Sequence, residues 1–254
     1  MQYSSHVAEW NPLGSLESAL GFGEHARHSC LYLDDPLPDG LDLVALPVAL
    51  HRAVPRRQVQ FRAGRYCARL AMEALDNRLI GQDVERAPDG APMWPLGLTG
   101  SITHTDDFAA AAVAWTTSIL SIGIDTERVM DDQQATNLGD VIATPEELRH
   151  GIAAGFSARE ALTLAFSAKE SVFKCLHPLV GRMFDFHDVR LVGVDGTVRL
   201  FRVDLARTLG PEFLAGTALE GRFALDSHRI HTGVWLDVSG TWRDEHRMTA
   251  HRAR

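Results

Sequence analysis

An α+β fold is what the 254-residue sequence predicts, because strand-like apolar runs and helix-start signatures occur in both halves of the chain. Residues 28–33 (HSCLYL) read as a strand. From Pro55 to about Asp76, Val59, Ala63, Tyr66, Cys67, Leu70 and Ala74 fall on or near one apolar stripe, the spacing of a helix. Residues 86–100 are rich in proline and glycine and read as a loop. Phe108 to Trp115 is an apolar run too short for most helices, Thr116-Thr117-Ser118 reads as a turn, and ILSIGIDTE follows as a second strand. A hairpin of the two is expected, although alanine is a poor strand former. Thr144 precedes Pro145-Glu146-Glu147, which combines a capping residue, proline at the first helical position and glutamate at the third. Ser157-Ala158-Arg159-Glu160 is another capping box and opens a helix expected to run to about Leu176. After Pro178, strand-like stretches cover 188–194, 197–203, 217–225 and 230–238, with Asp195-Gly196 as a tight turn between the first two. The polar tail from Thr241 is expected to be disordered.

Composition narrows the classes. A hydrophobic fraction of 45% supports a sizeable core. No apolar run approaches the roughly 18 residues that span a bilayer, and the N-terminus has no basic region followed by an apolar one, so neither a membrane span nor a signal peptide is read. Cys30, Cys67 and Cys175 are odd in number and lack a CxxC pair, which argues against a disulfide framework and a zinc site. A cytoplasmic location is the expectation. A net charge of −8 disfavours nucleic acid as a partner. Against that acidic background, six arginines and no acid occur between His51 and Met72, an arrangement that suits either a bound anion or a solvated helix face. The two lysines, Lys169 and Lys174, fall five residues apart in a chain that otherwise uses arginine. A point charge on a flexible stem is not interchangeable with a planar fork, so this segment reads as a site.

Three segments carry candidate chemistry. In Gly123-Ile124-Asp125-Thr126-Glu127 the carboxylates sit at i and i+2, on one face of a strand with Ile122 and Ile124 on the other. Side-by-side carboxylates repel, and a shared divalent cation relieves them. Phe166-Ser167-Ala168-Lys169-Glu170-Ser171-Val172-Phe173-Lys174 places Glu170 and Lys174 one helical turn apart. Trp94-Pro95-Leu96-Gly97-Leu98-Thr99-Gly100-Ser101-Ile102-Thr103-His104 offers glycines and hydroxyls that let backbone N–H groups approach a phosphate, with a histidine to add a contact. Each alone also fits an ordinary structural role: a strand end, a surface pair, a loop histidine.

Together, in this order, they resemble the Sfp-type 4'-phosphopantetheinyl transferases, in particular the branch acting in siderophore and antibiotic synthesis. The resemblance covers about residues 55–186 and rests on Gly-Ser-x-(Thr/Ser)-His, Gly-Ile-Asp-x-Glu and Phe-Ser-x-Lys-Glu-Ser-x-x-Lys, with Thr126 standing where an aliphatic residue is common. It implies two pseudo-symmetric α/β lobes, 1–119 and 120–240, with the active site between them, and a monomer. It further implies transfer of phosphopantetheine from coenzyme A to a serine of an acyl, peptidyl or aryl carrier protein, releasing 3',5'-ADP. Asp125, Glu127 and Glu170 would hold Mg²⁺. Glu170 would deprotonate the serine, directly or through a water. Lys174 and Lys169 would contact the pyrophosphate or pantetheine oxygens. His104, helped by Thr103, Arg57, Arg65 and Arg86, would bind the coenzyme's phosphates, Arg57 and Arg65 fitting Arg-x-x-x-Phe-x-x-x-Arg around Phe61. A metal-dependent phosphohydrolase and a non-catalytic coenzyme A-binding module stand as alternatives.

Overall fold

The computed structural model describes residues 20–33 and 36–240; the expected disordered tail lies outside the described residues. The first sheet contains β1 (Ala26–Tyr32), β4 (Leu98–His104) and β5 (Phe108–Trp115), antiparallel in the order β1-β5-β4. Helix α1 (Pro55–Leu75) packs on it, and a two-residue pair, β2 (Glu85–Arg86) with β3 (Pro92–Met93), interrupts the proline- and glycine-rich loop. The second sheet is antiparallel in the order β6-β10-β9-β8-β7, from β6 (Ile119–Arg128), β7 (Val189–Asp195), β8 (Leu200–Leu205), β9 (Ala218–Leu225) and β10 (Arg229–Asp237). Between β6 and β7 run α2 (Asp132–Ile142), α3 (Pro145–Ala153) and the long α4 (Ala158–Val180). The α+β class is as the sequence predicts.

The alanines of β5 explain how the layers fit. Ala109, Ala111 and Val113 face α1, packing with Ala63, Cys67, Ala68, Ala71 and Met72. The alternate residues, Phe108, Ala110, Ala112 and Ala114, face Ile119, Ile122 and Ile124 of β6. A strand buried on both faces between two close layers favours small side chains, so packing overrides the weak strand propensity of alanine. The same burial overturns the expected hairpin. β5 already has β1 on one edge and β4 on the other, so no edge remains for β6, which joins the second sheet instead. The apolar face of α1 is also rotated from the expected stripe. Gly64, Ala68, Ala71 and Met72 are buried with Ala63 and Cys67, whereas Leu70 and Ala74 are exposed.

Both capping boxes form: the Thr144 hydroxyl accepts from the Glu147 N–H, and the Ser157 hydroxyl from the Glu160 N–H. A third, Asp131 with Gln134, starts α2, an element not expected from the sequence. α4 runs past Pro178 and stops at Gly181, whose φ of 68° is the left-handed conformation that glycine adopts freely. One contact fixes α4 against β6. A Cβ on Gly123 would sit 1.9 Å from the Ser171 carbonyl oxygen and 2.5 Å from the Cys175 nitrogen. The helix backbone therefore touches the strand backbone at the glycine of Gly-Ile-Asp-x-Glu. Gly123→Ala should cost about 3 kcal/mol, the upper end for overpacking, read as a lowered urea midpoint with an unchanged m-value.

Candidate active site

The close approach at Gly123 brings one face of β6 under one face of α4. Asp125 and Glu127 of β6 share their surroundings with Glu170 and Lys174 of α4, and the charges act on one another. Burial first, then the neighbouring Asp125 carboxylate, pushes the Glu127 carboxyl up to about 8, with Glu170 adding to the rise and Lys174 opposing it. Burial and Asp125 raise Glu170 as well, again against Lys174. Asp125 is 3% exposed. Its Oδ1 accepts from Lys174 Nζ at 2.6 Å and from the Thr103 hydroxyl at 3.4 Å. Its Oδ2 is buried with no hydrogen-bond partner.

Among the described residues no three histidine, cysteine or acidic side chains form a ready-made metal cluster. The donor set nevertheless fits a hard divalent cation. Three carboxylates near enough to feel one another's charge, one with an orphaned buried oxygen, are hard oxygen donors short of positive charge. Lys174 supplies part of that charge.

A second group is built from β4 and α1. Arg57 Nη1 donates to His104 Nε2 at 2.5 Å. Burial, then the positive charges of Arg57 and Lys174, lowers His104 to about 4. The ring is thus neutral near pH 7 and accepts at Nε2. Arg65 lies over the Phe61 ring at 4.8 Å and donates to the Glu85 carbonyl oxygen, yet its buried Nε has no partner. Burial, with Arg86 and Arg57 nearby, lowers Arg65 to about 10. Three guanidiniums crowded together with an unmet donor form a place for an anion. Arg86 itself is exposed.

Two predicted residues are differently employed. Thr103 is buried and accepts the Thr126 N–H at 3.0 Å, tying β4 to β6. Lys169 does not join the acids. Its Nζ is buried, 2.6 Å from Glu147 Oε1 and 2.8 Å from the Ile142 carbonyl oxygen that accepts from it. Glu147 also accepts from the N–H groups of Thr144 and Leu191, so the pair staples α2, α3 and β7 to α4. The helical period explains the separation: five residues turn Lys169 well away from Lys174, whereas Glu170 and Lys174 share a face. Glu160 sits in its capping box at the helix start, as expected, ten residues before Glu170. A cavity of about 440 Å³ between α2, α3 and the start of α4 contains none of the candidate residues. Among the described residues no helix is long and apolar enough to cross a membrane.

Comparison with known proteins matches the same two regions. Residues 46–114 fit the model of the 4'-phosphopantetheinyl transferase N-terminal domain, and residues 121–221 that of the 4'-phosphopantetheinyl transferase superfamily. The chain is 36% identical to 4'-phosphopantetheinyl transferase Svp of Streptomyces mobaraensis over 209 residues, 79% of this chain and 80% of the relative. It belongs to the 4'-phosphopantetheinyl transferase superfamily. Other relatives of this transferase are 4'-phosphopantetheinyl transferase PptT of Mycobacterium tuberculosis, 28% identical over 84% of this chain and 93% of the relative, and enterobactin synthase component D of Escherichia coli, 38% identical over 52% and 62%.

Two predictions follow from the electrostatics of the transferase. The folded-state pKa of Glu127 lies above that of an unfolded glutamate, so the folded protein binds the extra proton. The stability this contributes is present at low pH and is lost as pH rises from the ordinary carboxylate range through about 8. In chelator, Glu127→Gln should therefore melt higher than the parent at pH 8, with the gap closing towards pH 5. The second contrasts the lysines. Lys169→Met breaks a buried pair and should cost about 3–5 kcal/mol, while the protein that remains folded keeps most of its turnover. Lys174→Met should lose turnover and also lower the denaturation midpoint, though by less than Lys169→Met because Lys174 is partly exposed.

Proposed function

We propose that the transferase moves the 4'-phosphopantetheine group of coenzyme A onto a serine of an apo carrier protein (acyl, peptidyl or aryl), releasing 3',5'-ADP and depending on Mg²⁺. The observation that carries this is the pairing of two charge clusters: the three acids with Lys174 on β6 and α4, and the guanidiniums with His104 on α1 and β4. Coenzyme A has two separated anionic groups, the pyrophosphate and the 3'-phosphate, and the two clusters suit them respectively. Asp125, Glu127 and Glu170 would hold the cation, which when bound neutralises the pyrophosphate oxygens.

Glu170 accepts the proton of the carrier serine, a role its raised pKa favours. The serine oxygen forms a bond to the phosphorus bearing pantetheine. The bond from that phosphorus to the bridging oxygen breaks, and 3',5'-ADP leaves with the electron pair. Lys174 offsets charge on the pyrophosphate. His104 accepts from Arg57 and so aims the guanidinium, while Arg57, Arg65 and Arg86 receive the 3'-phosphate. The two sheets then serve as the two lobes, 1–119 and 120–240, with the site between them in one cytoplasmic chain acting as a monomer. The likeness to enterobactin synthase component D favours a carrier of siderophore assembly, and the related synthesis of antibiotics is the other setting proposed.

Incubation with coenzyme A, Mg²⁺ and several apo carriers tests the reading. Mass gain on a carrier serine that disappears with chelator is expected. Free phosphate instead would make this a phosphohydrolase, and binding without turnover a coenzyme A-binding module. Coenzyme A should be preferred over its dephospho form, and His104→Ala should shrink that preference about tenfold, the equivalent of about 1.4 kcal/mol, close to the lower end of what one charge-assisted contact contributes. Equal loss on both forms would assign His104 to structure.

A further inference from the structure

Thr126 lies between the two carboxylates of β6, on the opposite face of the strand, and is 1% exposed. It is the position at which the sequence departs from the aliphatic residue common in the motif. A buried hydroxyl there needs a partner, and it has one. Thr126 is paired across the ladder with His231 of β10, and its Oγ1 lies 2.9 Å from His231 Nδ1. His231 is wholly buried, and burial holds its pKa down, so the ring is neutral. Its Nε2 faces Asp226 Oδ2 at 3.4 Å. A carboxylate only accepts, so the proton belongs on Nε2 and Nδ1 accepts from the Thr126 hydroxyl.

The line of contacts continues beyond the histidine. Asp226 accepts from Arg229 Nη1 at 3.1 Å and from the N–H groups of His228 and Arg229. Arg229 reaches Asp107, with Nε 3.2 Å from Oδ1 and Nη2 2.7 Å from Oδ2. Asp107 sits in the turn that follows His104, where the Thr105 hydroxyl donates to it at 2.8 Å. Phe108 packs edge-on to the His231 ring and, with Tyr32, against the Arg229 guanidinium. A buried, charged relay of this kind is costly to build, and well-packed apolar residues would hold two sheets together as well.

What apolar residues would not supply is direction at one point of β6. That strand is at the edge of its sheet, and the segment carrying Asp125 and Glu127 must hold its place against the repulsion among three acids. Thr103 holds it from the β4 side through the Thr126 N–H, and His231 holds it from the β10 side through the Thr126 hydroxyl. We propose that His231, acting through Thr126, is a positioning residue for the Asp125–Glu127 pair, with Asp226, Arg229 and Asp107 anchoring it to the turn after His104. The proposal rests on the reading of that pair as cation ligands.

The test uses Mn²⁺ as the probe, titrated into the coenzyme A-saturated protein without carrier and followed by the paramagnetic resonance of the free ion. Thr126→Val, which keeps the shape and deletes the hydroxyl, should weaken Mn²⁺ binding about tenfold, the lower end of what loss of an outer support costs. Thr126→Ser should bind as the parent does. His231→Leu should weaken binding by a similar factor. Melting midpoints are recorded alongside, since a merely structural role moves melting and leaves Mn²⁺ affinity alone. Parent-like affinity in Thr126→Val, whatever its melting, overturns the proposal. Asp125→Ala separates the two layers of inference: if it too binds Mn²⁺ normally, the cation reading itself has failed.

Discussion

Contact between the α4 backbone and the β6 backbone at Gly123 is the constraint on which the acid cluster depends. With no side chain at that point, the helix settles onto the strand. Asp125 and Glu127, two and four residues along the same face of β6, then come under Glu170 and Lys174. A larger residue at 123 would lift the helix and part the acids, so the glycine and the carboxylates form one device rather than separate motifs. The alanines of β5 do the corresponding work on the other face of β6, allowing the first sheet to lie close enough for its hydroxyls to reach the strand.

Such proximity works against stability. Burial and mutual repulsion raise the carboxyls of Glu127 and Glu170, so the fold keeps acids where neutral groups would suit it better. The opposite side of α4 offsets part of this strain with a fully satisfied pair. Lys169 and Glu147 are both buried, and Glu147 shares its oxygens among the lysine, its capping partner Thr144 and the N–H of Leu191. One helix thus carries two lysines with opposite duties. Lys169 faces the core and is fixed; Lys174 remains at a partly exposed cluster where its charge meets Asp125.

Much of this was legible in the sequence, and the failures have physical causes. The capping boxes at Thr144 and Ser157 are local chemistry, so the helix starts at Pro145 and Ala158 agree with expectation. The face shared by Asp125 and Glu127 follows from strand period alone. The strand pairing of β5 could not be read locally, because it depends on β1 occupying an edge more than 70 residues away in sequence. The duty of Lys169 was hidden for a similar reason: its partner Glu147 belongs to another helix, and the proximity of two rare lysines in sequence concealed their separation around the helix. The start of α2 was missed although Asp131 and Gln134 carry a capping signature. His231 and Asp107 had no motif to flag them, though the unusual threonine at 126 marked the place where a polar partner was required.

The position of β6 at the edge of its sheet gives the arrangement its reach. An edge strand presents unpaired N–H groups that invite pairing with other chains. Here the N–H groups of Ile124 and Thr126 are taken by the hydroxyls of Ser101 and Thr103, side chains rather than the backbone of β4. β4 and β6 are therefore joined while remaining in different sheets, each free to keep its own helix. α1 supplies guanidiniums on one side of the join and α4 supplies an acid and an ammonium on the other. Because His104 lies three positions after Ser101, and Ile124 precedes Asp125 directly, the same short stretch of contact sets the spacing of the two charge clusters. A ligand with a single anionic group would need only one of them. On the proposed reading, two clusters held apart in this way suit a ligand whose anionic groups are themselves separated, as the pyrophosphate and 3'-phosphate of coenzyme A are.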